Sequence, residues 1–113
     1  MAARGPTVIV GMKAASSAPF SGTLNVDGAS AAFTPELGRP VYVNLSGTWT
    51  GTVTIERSFD GGATWLPMTA GGQSWGTFTA NASEQVDVPT SAAITLRVSF
   101  DRASGTLEYA LIQ

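Results

Sequence analysis

The sequence predicts an all-β domain, an antiparallel β-sandwich or barrel of about seven to nine short strands. Three observations lead there. Apolar and polar residues alternate in several runs, as they do on half-buried strands: Val41, Val43 and Leu45; Val53, Ile55, Arg57 and Phe59; Ile94, Leu96, Val98 and Phe100. Gly, Pro, Asp and Asn punctuate these runs at spacings of roughly 8–12 residues. No window carries a helical period, and β-branched and aromatic residues fill the alternating runs.

Taken in order, residues 1–19 read as an N-terminal arm or a first strand, and 20–113 as the β-domain. Thr7–Gly11 has strong β-propensity without alternation, so Val8, Ile9 and Val10 belong either to a strand buried on both faces or to an arm ordered against a partner. The run is short and closed by Lys13, which speaks against a signal peptide. Phe20, Gly22, Leu24 and Val26 suggest a strand ended by Asp27-Gly28. Ala29–Thr34 is a short strand, and Pro35–Pro40 is a loop because two prolines suit no central strand. Val41–Ser46 is a strand, and Gly47–Gly51 is expected to turn the chain, carrying Trp49. Thr52–Met68 reads as one hairpin around Asp60-Gly61-Gly62. Trp75–Ala80 and Val86–Val88 are further strands, separated by a turn at Asn81–Ser83. Ile94–Gln113 is expected to be a second hairpin, with Asp101–Gly105 as its loop.

The composition narrows the function classes. Charged residues make up 12% of 113 residues, about half the usual share, so Thr, Ser, Gly and Asn must cover much of the surface. The net charge is −2 with scattered basic residues, which gives no footprint for nucleic acid. No stretch approaches the roughly 20 apolar residues of a membrane helix. Histidine and cysteine are absent, which removes the common nucleophile–base pairs and the imidazole and thiolate metal sites. Only carboxylate chemistry remains, and a chain without long loops to build a cleft is a poor host for a glycosidase pair. No enzyme activity, metal or cofactor is expected. Arg57 and Arg97 are read on the inward phase of their strands, either snorkelling to water or paired with Glu84, Asp87 or Glu108. Trp49 and Trp75 are read either as residues at the rim of the core or as contacts for a partner protein or glycan.

Two resemblances add to this reading. The octet Ser58-Phe59-Asp60-Gly61-Gly62-Ala63-Thr64-Trp65 has the Ser-x-Asp-x-Gly-x-Thr-Trp form and resembles the Asp-box turn of sialidases and several unrelated β-proteins. The resemblance implies that Ser58, Asp60, Gly61, Gly62, Thr64 and Trp65 form a structural turn remote from catalysis. The run from Gly47 to Gln113 resembles small structural proteins of tailed bacteriophages. Those proteins pair a Gly-Thr-Trp-x-Gly-Thr-Val strand (here Gly47–Val53) with an Arg-Ser-Phe-Asp-Gly-Gly-x-Thr-Trp turn (here Arg57–Trp65). They end in a Leu-Arg-Val strand, a Gly-Thr turn and a final strand. This resemblance implies a virion component, on the capsid surface or alternatively in the tail. Its partners would be the major capsid protein, other virion subunits and copies of itself.

Overall fold

The computed structural model describes residues 18–113; Val8, Ile9 and Val10, with the rest of the expected arm, lie outside them. The chain is all-β and antiparallel. Among the described residues the nine strands are β1 (Phe20–Leu24), β2 (Gly28–Ala29), β3 (Val41–Ser58), β4 (Leu66–Pro67), β5 (Thr69–Ala70), β6 (Gln73–Ser74), β7 (Thr77–Phe78), β8 (Ala82–Asp87) and β9 (Thr95–Ile112). Most are short, but β3 and β9 have 18 residues each. These two pair along their whole length, from Tyr42 opposite Ile112 to Ser58 opposite Thr95.

That ribbon corrects two sequence expectations. Gly47–Gly51 does not turn the chain, and Ile94–Gln113 is not a hairpin with a loop at Asp101–Gly105; both segments are interior to long strands. The glycine-rich pieces face each other across the ladder, with Gly47 opposite Leu107, Gly51 opposite Arg102 and Gly105 opposite Trp49. Both strands therefore bend at the same place while remaining paired. Gly51 and Gly105 show why glycine is needed. Their φ angles are +133° and +84°. A Cβ on Gly51 would collide with the Asp101 carbonyl, and one on Gly105 with the Thr48 carbonyl.

A bulge accompanies the bend. Thr50 pairs with Ser104 and Gly51 with Arg102, which leaves Ala103 as an extra residue on β9. One extra residue exchanges the two faces of a strand. Accordingly, the inward set of β9 passes from Leu96, Val98 and Phe100 to Leu107, Tyr109 and Leu111. On β3 the phase is unbroken from Val41, Val43 and Leu45 to Val53 and Ile55.

Each half of the ribbon carries its own neighbours. In the first layer β1 lies against the Leu107–Leu111 half of β9, and β8 against the Val41–Leu45 half of β3. In the second, β2 and the Phe33–Leu96 bridge extend β9, while β4 and β7 extend β3. The expected Thr52–Met68 hairpin is present as the pairing of β3 with β4. Two contacts prove that the ribbon folds back on itself. In a straight strand, at roughly 3.3 Å per residue, Val41 and Arg57 would stand about 50 Å apart. Yet Asp87, opposite Val41, reaches within 3.9 Å of the Arg57 guanidinium. Likewise Phe20, opposite Leu111, and Phe33, opposite Leu96, bring their rings to 5.4 Å. The result is a sandwich whose two layers share both long strands.

The core lies between the layers. Val41, Val43, Leu107 and Leu111 from the first meet Val53, Ile55, Leu96, Val98 and Phe100 from the second in one buried cluster. Met68, Val86 and Ile94 close it. Burying a side chain of this kind contributes about 1.5–3 kcal/mol.

Candidate functional site

The octet Ser58–Trp65 folds as a self-contained turn. Ser58 ends β3 and is 1% exposed. Its hydroxyl donates to Asp60 Oδ1 at 2.7 Å and accepts from the backbone N–H groups of Gly62 at 2.9 Å and Asp60 at 3.3 Å. Asp60 Oδ1 also accepts from the Thr64 N–H at 2.8 Å. These donors hold the Asp60 carboxyl below its usual 3.8, the Ser58 hydroxyl most strongly, then the Thr64 N–H and hydroxyl. Gly61 and Gly62 take φ of +73° and +93°, the conformations the turn requires. The Trp65 ring lies against Gly62, where a Cβ would be 3.4 Å from it. Every hydrogen bond of Asp60 described above is to its own turn, so the carboxylate is committed to holding the loop.

The cations are placed by the same scaffold. Arg97 lies on the outward face of β9, opposite Glu56, and not on the inward phase expected from the sequence, because Leu96, Val98 and Phe100 take the inward positions. It bonds Glu56 at 2.7 Å and sits 4.5 Å from the centre of the Trp65 ring. Arg57 does follow the inward phase, at the end of the sheet. There it approaches Asp87 at 3.9 Å, an electrostatic contact too long for a hydrogen bond, and lies over the Phe59 ring.

Trp49 is a residue at the rim of the core. Its ring meets Phe100 edge-on at 5.6 Å, and its indole N–H donates to Asn81 Oδ1 at 2.7 Å. Asn81 in turn donates to the Gly47 carbonyl at 3.0 Å, so one side chain clasps the bend of the ribbon from outside. The sequence places Asn81 in a turn and does not show this role. Its signal was the Trp49 indole N–H, a donor at the rim of the core that needs an acceptor, which no spacing rule locates. Trp75 donates to the Val86 carbonyl at 2.8 Å but remains 46% exposed. The structure does not bring the two tryptophans to a common platform: Trp49 is fixed at the bend and Trp75 at β8.

A different surface feature has the shape of a binding site. On the outer face of the first layer a groove of about 360 Å³ is bordered by Ser21, Thr23, Asn44, Ser46 and Glu108, with Ala110 as its floor. It lies at the small end of ligand-site volumes. The lining offers hydroxyls, an amide and one carboxylate, a set suited to hydrogen bonding. A second carboxylate or a basic side chain beside Glu108 is not among its lining residues. Among the described residues no group of three or more carboxylates converges on a point that would hold a metal ion. Comparison with protein-family models, curated proteins and solved structures finds no match to this chain.

Proposed function

We propose that this protein is a non-enzymatic structural component of a phage virion, in the first place a capsid decoration or cement protein bound to the head surface in many copies. Its partners are the major capsid protein or neighbouring virion subunits and further copies of itself. It needs no metal or cofactor. The observation that carries this reading is how the two quoted motifs are used. Gly47–Val53 supplies the bend of the ribbon, and Arg57–Trp65 supplies a turn whose polar groups bond to one another. Both serve the scaffold, and neither gathers reactive groups. The low charge supports the same reading, since the centre of a protein interface is depleted of charged residues.

In this proposal the segment carrying Val8, Ile9 and Val10 adds a strand to a neighbouring subunit, and many weak contacts are multiplied by valency. The test is binding of the purified chain to particles of the encoding virus that lack it, with and without residues 1–13. Loss of binding by a truncated chain that still folds supports the arm. Retained binding moves the interface to the sandwich, and failure to fold assigns the segment to the core. The groove beside Glu108 favours a second reading, a tail, fibre or baseplate module in contact with glycan. Titration with oligosaccharides should then shift the amide resonances of Ser21, Thr23, Asn44 and Ser46 and leave those of the Asp-box turn unmoved.

A further inference from the structure

A β-sandwich with open sheets has four edges, and an unprotected edge pairs with other chains. Among the described residues, three of the four edges are blunted. In the second layer β2, β4 and β7 are two residues long, too short to template a partner. In the first layer β8 carries the exposed acid Glu84 and a bulge at Val86, which has no opposite residue on β3. The Val86 carbonyl is also capped by the Trp75 indole. β8 is therefore protected by charge, by irregularity and by a side-chain cap.

β1 has none of these devices. Its sequence Phe20-Ser21-Gly22-Thr23-Leu24 contains no charge and no proline, and its register against β9 is unbroken over all five residues. Among the described residues it pairs with β9 alone. It is also firmly seated: Phe20 and Leu24 pack against the core, and the Tyr109 ring lies across Gly22, where a Cβ would come within 2.5 Å of its hydroxyl. A rigid, neutral, regular edge is a template for strand addition.

We propose that the occupant of this edge is β1 of a second copy, paired antiparallel about a two-fold axis through Gly22. The side chains argue for the symmetric partner. By chemical class the strand reads the same in both directions: apolar, hydroxyl, glycine, hydroxyl, apolar. A two-fold pairing centred on Gly22 puts Phe20 opposite Leu24 of the second copy, and Ser21 opposite its Thr23. Apolar residues meet on the core side and hydroxyls on the outer side, both favourable cross-strand pairs. The nearest charge on the outer face is Glu108, opposite Thr23 and one strand further in. Two such carboxylates would be separated by three strand spacings, about 14 Å, which exceeds the roughly 8 Å screening length at physiological ionic strength. The first layers of two copies would then form one continuous sheet. Five residues of edge bury much less than a stable dimer interface, about 1,200 Å² or more, so the dimer is weak. The inference rests on the edge alone and stands whether or not the protein belongs to a virion.

Sedimentation equilibrium of the full chain, from about 10 µM to about 1 mM, should show a mass rising from one chain toward two. The double variant S21K/T23K places lysine opposite lysine, and S21E/T23E places acid opposite acid. Each alone should associate at least about tenfold more weakly than the parent while keeping its circular dichroism spectrum. An equimolar mixture of the two should recover the dimer, because residue 21 of one copy meets residue 23 of the other. A parent chain that stays single throughout the range would overturn the proposal. So would a lysine variant that associates like the parent, or a mixture that fails to associate.

Discussion

Replacing Gly105 with alanine tests whether the bend of the β3–β9 ribbon governs stability. Two penalties add. Gly105 holds φ at +84°, and a residue with a Cβ in that left-handed region pays roughly 1–2 kcal/mol. The new methyl group would also overlap the Thr48 carbonyl and lie 2.6 Å from Trp49 Cα, both backbone atoms of the paired strand. Backbone cannot swing aside as a flexible side chain can, so the ribbon must open, at a cost of about 1–3 kcal/mol. The lower entropy of the unfolded alanine chain returns about 0.4–1 kcal/mol. The net loss is about 2–4 kcal/mol, a large part of the ~5–15 kcal/mol that holds a domain folded. Gly61 provides the control: its φ is +73°, and nothing lies within 4 Å of a Cβ placed there. Gly61→Ala should therefore show only the conformational part, about 1 kcal/mol. In urea unfolding, at about 1–2 kcal/mol per molar, Gly105→Ala should lower the midpoint by about 1–4 M and Gly61→Ala by about 1 M or less. Equal losses for the two variants would refute the steric argument.

Two further perturbations probe the Ser58–Trp65 turn. Ser58→Ala removes the acceptor of the Gly62 N–H at a buried position and should destabilise by about 1–3 kcal/mol in the same urea assay, with no loss if the turn is held elsewhere. The depressed Asp60 carboxyl makes stability pH-dependent in a definite direction: its contribution is complete above the usual 3.8 and is lost as the pH falls through the lower folded value. Thermal melts should show Asp60→Asn shrinking the difference between pH 6 and pH 2.5, and an unchanged difference would remove Asp60 as its source.

The strands and the core faces were legible in the sequence because period-2 alternation reports burial directly. Val41, Val43 and Leu45, then Val53 and Ile55, then Leu96, Val98 and Phe100 all lie inside as their phase implies. The Ser58–Trp65 turn was legible because its bonds are local, spanning at most four residues. The bend was not. A glycine at positive φ carries the same local signal in a hairpin turn and in a strand that folds over, and only the partner strand distinguishes them. One trace was present: the apolar phase of β9 shifts by one residue between Phe100 and Leu107, which a bulge produces without a loop. Arg97 was misplaced through a phase error that Leu96 and Val98 already contradicted. The clasp of Asn81 on Trp49 and Gly47, and the groove at Ser21 and Glu108, join residues more than 30 positions apart, beyond any periodicity.

The proposed virion role is tested most directly by counting this protein, with isotope-labelled peptide standards, in purified particles of a phage that carries its gene. A capsid decoration protein should be present in hundreds of copies per particle, released together with the head surface proteins. Particles that contain none, while the protein accumulates free in infected cells, would contradict it.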